Sequence, residues 1–229
     1  MTSKTDYDTF VKQLTTKFNF LKSSNFEEKN RFLFEKQNDL FVLSQILYRL
    51  DSEITPLSVL EQELSQFVSR HAIFCYLGDE YLNQTLSRAI IESIYRIIIS
   101  KYYPLRQERR IRSDNRSQMS RDINEKIAED SCKEWLPILN NLYGKYSTGL
   151  HNAILTEKEI WQKLNSFGNL PKSIDNEIED FKKIFMCLLK LYFSKEISGD
   201  RKLVDSSVLI YANNHLSLNA YNNFLEECS

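Results

Sequence analysis

The chain has 229 residues, 42% of them hydrophobic and 27% charged, with a net charge of −1. Enough apolar material is present for a core, and no overall charge argues for nucleic acid or a membrane surface, so any such argument must be local. No apolar run approaches the ~18–20 residues that cross a bilayer. The four cysteines, at 75, 132, 187 and 228, stand too far apart for a CxxC motif. With no signal peptide, the expectation is a reduced, cytoplasmic protein without a metal or other cofactor. Cys75 and Cys187 lie in apolar helical runs and read as core residues.

Only five glycines and four prolines punctuate the chain, which favours long helices over strands and their many turns. The reading is an all-α multi-helix bundle, one domain of about eight to ten helices. The first helix spans about 7–21, with Phe10, Leu14, Phe18 and Leu21 on one face. The second runs from about 26 to 50, with Phe32, Leu33, Leu40, Leu43, Leu47 and Leu50 marking its buried side. Thr55 and Pro56 restart the chain, and a third helix carries Leu57, Leu60, Leu64, Phe67 and Val68 to a stop at Gly78.

The fourth helix, about 79–102, is apolar most of the way round and is therefore predicted to be central. Arg88, Glu92 and Arg96 nevertheless fall on one line of it. Charges among so many isoleucines must be paired or solvated. Pro104 ends this helix. From Lys101 to Arg121 seven cationic side chains stand against two acidic ones. Apolar residues are scarce over 106–118, so this stretch reads as an exposed loop. Its Arg106, Arg109, Arg110, Arg112 and Arg116 form a candidate strip for phosphate or for an acidic partner, with Tyr102 and Tyr103 placed to stack on bases.

Helical pattern resumes near Met119, with Pro137 as a candidate break, and reaches the segment 142–153, LYGKYSTGLHNA. Gly144 and Gly149 interrupt it, and it carries His151, one of three histidines. Ser147 lies four residues before His151, hence on the same face of a helix, with Lys145 and Tyr146 alongside. A histidine, a hydroxyl and a cation suffice for general acid–base work on a phosphodiester without a metal. His71, on an apolar helix, reads as structural, and His215 as a surface turn residue. Beyond His151, Thr156 and Glu159 have the spacing of a capping box for a helix to Phe167. A strong helix follows over 173–195. Residues 204–210 form a short helix or a strand, and a last helix spans 216–225. Glycine-rich phosphate loops, GxSxG and HExxH are absent from the sequence.

The runs SRAIIESIYRIII and LYGKYSTGLHNA resemble the Arg-xxx-Glu helix and the histidine-bearing segment of HEPN-domain proteins. The resemblance covers about 79–194, leaving 1–78 as additional N-terminal helices and 197–229 as a tail. It implies a helical bundle, commonly dimeric. The implied activity is RNA binding or metal-independent RNA cleavage in a prokaryotic defence or toxin–antitoxin system. His151 would be the acid–base group, Ser147 a positioning group and Lys145 the transition-state cation, with Arg88 and Glu92 orienting the site. The family motif has an arginine where this chain offers Lys145. The competing reading is a non-catalytic accessory subunit of a larger antiviral complex, bound to protein or DNA through the basic loop.

Overall fold

Six isoleucines between positions 90 and 99 are fully buried. They spread over more of a helix than one neighbour can cover, so the element that carries them must be enclosed. The computed structural model describes residues 4–18, 21, 28–54, 56–126, 130–151, 174–193 and 204–228. Among them are ten helices and no strand: α1 (Lys4–Lys17), α2 (Glu28–Leu50), α3 (Leu57–Leu77), α4 (Glu80–Tyr102), α5 (Glu108–Ser113), α6 (Arg116–Lys126), α7 (Asp130–His151), α8 (Ile174–Tyr192), α9 (Ser206–His215) and α10 (Leu218–Cys228). The fold is all-α.

Five helices form a closed ring. α2 packs on α3, α3 on α4, α4 on α7, α7 on α8, and α8 returns to α2. α4 also meets α5, α6 and α8, which accounts for its apolar circumference. α1 lies on α2 through Tyr7 and Phe10, whose rings sit 5.6 and 4.8 Å from that of Phe34. The C-terminal pair α9–α10 is tied to α2 by buried Asp39, which accepts from the backbone N–H and hydroxyl of Ser217 at 2.8 and 2.7 Å.

The α3–α4 corner is local chemistry. Gly78 is left-handed, with φ 76°, and donates its N–H to the Cys75 carbonyl, while Asp79 N–H reaches Phe74. This is the double bond pattern that closes a helix on glycine. Asp79 then caps α4 by accepting from Leu82 N–H at 2.9 Å. The two helices therefore fold back antiparallel over a two-residue turn.

Three expectations change. The stretch 106–118 is not a loop: it holds α5 and the start of α6, anchored by buried Ile111 and Met119. α7 runs unbroken through Pro137, Gly144 and Gly149 to His151. An interior proline costs about 3 kcal/mol and each glycine about 1. Burial of Leu136, Leu139, Leu142 and Tyr146 on the inner face, at about 1.5–3 kcal/mol each, outweighs them. Phe32, expected on the buried side of α2, is exposed. Of the two alternatives for 204–210, the helix is the one that forms, over Ser206–His215. The helix expected over 156–167 lies outside the described residues.

An alanine at 78 would have to adopt a backbone conformation that costs an L-residue about 1–2 kcal/mol. Gly78→Ala is therefore expected to lower unfolding free energy by that amount, and Gly78→Asn by less. Urea denaturation followed by circular dichroism checks both.

Candidate functional site

α4 and α7 pack antiparallel, and their register follows from two hydrogen bonds. Tyr95 donates its hydroxyl to Asn140 Oδ1 at 2.7 Å, and Tyr143 donates to Glu92 Oε1 at 3.0 Å. Glu92 also accepts from Arg88 Nε at 3.0 Å and lies 3.6 Å from Arg96 Nη2. One carboxylate thus gathers two guanidinium groups and a phenol. The Arg88 guanidinium sits 5.2 Å from the Tyr143 ring centre.

α6 adds a third arginine to this face. Arg116 donates to Asn140 Oδ1 at 2.7 Å, with its guanidinium 5.1 Å from the Tyr143 ring. Asn140 in turn donates to Ser120 at 3.1 Å. Arg88 and Arg96 pair with Glu92 while Arg116 rests on Asn140 and Tyr143, so three arginines share this face with one carboxylate and it carries excess positive charge. Ser147 lies one turn beyond Tyr143, level with Arg88. Its hydroxyl is buried and has no hydrogen-bond partner among the described residues. His151 is the last residue of α7, another turn along the same face; its side chain lies outside the described residues.

Lys145 does not share that face. Two residues after Tyr143, it lies on the far side of α7 and pairs with Asp180 of α8 at 2.5 Å. Tyr146 donates to the same carboxylate oxygen at 2.6 Å. The structure brings Arg88, Glu92 and Ser147 to one side of α7 and commits Lys145 to the other.

Lys145 pairs with Asp180 from the surface, and Asp180 and Tyr146 adjoin a polar network inside the ring, to which every ring helix contributes. Gln37 of α2 donates to Nδ1 of His71 at 3.1 Å, and Nε2 of His71 lies 3.0 Å from Ser87 of α4. An amide nitrogen only donates, so Nδ1 accepts and Nε2 carries the proton given to Ser87. The ring of His71 lies 4.8 Å from Phe181. Burial pushes the imidazole down from 6.5 to about 3, so it stays neutral and both nitrogens are engaged. His71 is thereby a structural residue. One turn on, the Cys75 thiol donates to Glu177 Oε2 at 3.3 Å. Burial raises the Glu177 carboxyl from 4.5 to about 7; the Cys75 bond and Lys145 oppose that rise, and Asp180 and Glu80 add to it.

The basic strip divides. Arg106 is held by Asp122 at 2.7 Å and Asp114 at 3.3 Å. Arg112 grips Glu63 through both terminal nitrogens and Glu108 through Nε. Tyr103 lies beneath Arg106 and Lys126, 5.1 and 5.3 Å from its ring. Arg109 and Arg110 are exposed, with no ion pair among the described residues. Arg116 turns away to the Tyr143 face. Sequence reasoning missed that link and the roles of Asn140 and Asp180, whose partners lie on distant helices. Among the described residues, no three His, Cys, Asp or Glu side chains stand together as a metal site, and no helix is long and apolar enough to cross a membrane.

No protein-family model, curated protein or solved structure matches this chain.

The neutral His71 sets a pH dependence. Between pH 6.5 and about 3 the unfolded chain binds a proton there that the folded one does not, so folded stability is lost as pH falls below 6.5. Glu177 acts oppositely: its contribution is full below about 4.5 and is lost as pH rises through about 7. A comparison isolates the histidine. The unfolding free energy of His71→Gln, relative to wild type, should rise as pH drops from 6.5, approaching about 1.4 kcal/mol per pH unit. Chemical denaturation at several pH values reads this, and a constant difference would show that His71 titrates normally.

Proposed function

We propose that this is a HEPN-like RNA-binding protein whose RNA track is the α4–α6–α7 face. One observation carries the reading: Arg116, drawn from the basic strip, meets Arg88 at Tyr143, which joins the strip to the Arg88–Glu92–Ser147 line. Guanidinium groups present paired donors to phosphate oxygens, and converging arginines suit a phosphodiester backbone. His151 stands at the end of that track as the acid–base group. In cleavage it would take the proton of a ribose 2′-hydroxyl as that oxygen bonds to phosphorus. The bond to the 5′-oxygen would break and the leaving oxygen would take the proton from the His151 imidazolium so formed, giving a 2′,3′-cyclic phosphate without a metal. Arg88 and Arg116 supply the cationic charge that Lys145, paired with Asp180, does not. A place in a prokaryotic defence or toxin–antitoxin system rests on the HEPN resemblance alone.

The second reading is a non-catalytic accessory subunit. It is favoured by the commitment of Lys145 to Asp180, which withdraws the motif's cation, and by the exposed Arg109 and Arg110 at the α5 corner.

Fluorescence anisotropy with labelled RNA in chelator tests these readings. Arg88→Ala and Arg116→Ala should each weaken binding and lower the slope of log affinity against log salt by about 1. His151→Ala should abolish cleavage while leaving binding in place. RNA that is bound but never cut supports the binding role without catalysis. Failure of the wild-type protein to bind RNA would overturn the proposal, and a stoichiometric protein partner surviving nuclease treatment would support the accessory reading.

A further inference from the structure

The arginine line of α4 has an unused continuation. Tyr81 precedes Arg88 by seven residues and Glu92 by eleven, spacings that return to the same helical face. The residue is 47% exposed, and its side chain has no hydrogen-bond or ring partner among the described residues. The register set by Glu92 with Tyr143 and Tyr95 with Asn140 puts Tyr81 just past the level of His151. Among the described residues the neighbouring aromatics are engaged: Tyr143 is hydrogen-bonded and flanked by two guanidinium groups, Tyr95 is buried against Asn140, and Tyr103 lies beneath Arg106 and Lys126.

We infer that Tyr81 is a stacking platform for an unpaired RNA base and that the ligand of the α4–α6–α7 face is single-stranded RNA. This rests on the RNA-binding reading above and specifies its substrate. The local charge agrees with a base at this end of the helix. Asp79 and Glu80 flank Tyr81 and would repel a phosphate, whereas a base is neutral and offers a π face. Seven residues of helix place Tyr81 about 10 Å from Arg88, the length of about three stacked nucleotides at ~3.4 Å each. A strand with its phosphates at Arg88 and Arg116 therefore reaches Tyr81 with a base a few positions along. In a duplex the bases are stacked and paired inside, and none is available to the ring.

Two labelled probes decide it: a 2′-O-methylated single strand of about ten nucleotides, which cannot be cleaved through the 2′-oxygen, and the same strand annealed to its complement. Wild type should prefer the single strand. Tyr81→Ala should weaken single-strand binding about tenfold and leave duplex binding unchanged, while Tyr81→Phe should retain wild-type affinity because the ring is kept. If Tyr81→Ala leaves single-strand affinity intact while Arg88→Ala lowers it, the stacking assignment fails and the RNA face stands. Equal losses for both probes, or Tyr81→Phe as weak as Tyr81→Ala, also overturn the assignment. If wild type binds neither probe, the RNA-binding reading fails with it.

Discussion

His71 accepts a hydrogen bond from α2 and donates one to α4 while riding on α3. A buried imidazole with both nitrogens used cannot slide by a turn without leaving a donor or an acceptor unpaired in a low-dielectric interior, which costs about 1–3 kcal/mol per group. Apolar packing alone tolerates exchanges of similar volume. The leucines and isoleucines supply the drive to associate, and this polar bridge selects one register among three helices. Its condition is that the ring stays neutral, and burial secures that condition.

The register propagates to the site through α7. Lys145 and Tyr146 both reach Asp180 on α8, which fixes the rotation of α7 about its own axis. With Tyr146 buried, Lys145 at the surface and both directed to α8, Tyr143 and Ser147 face α4 and α6. The inner network and the outer arginine face are thus two sides of one helix. A cation at position 145 can anchor α7 or serve chemistry on the opposite face, and here it anchors.

Much of this architecture is legible in the residues themselves. The stripes of α2, α3, α4 and α8 recur at three- and four-residue steps, and Gly78 stands at a helix stop, so these elements follow from local pattern. The Arg88–Glu92 pair is legible for the same reason, since its members are one turn apart. Pro137, Gly144 and Gly149 mislead because their local cost is visible in the chain while the burial that outweighs it is not. The basic segment misleads because one isoleucine and one methionine anchor it and because Glu63, which holds Arg112, is 49 residues away. Asp180 lies 35 residues from Lys145 and Asn140 24 from Arg116. No spacing rule connects those pairs, so which cations are committed and which face the track emerges only from the packed bundle.

The closure of the ring between α2 and α8 has a consequence for how the chain comes to be folded. α2, α3 and α4 are consecutive and joined by short turns, so they can pair early from local contacts. The flank of α2 that α8 covers waits for a helix that starts more than a hundred residues later. At roughly 5–20 residues per second that interval is on the order of ten seconds of synthesis. During it α2 belongs to a partial bundle with one wall missing, and the nascent chain presents an apolar surface that invites chaperones or self-association until α8 arrives.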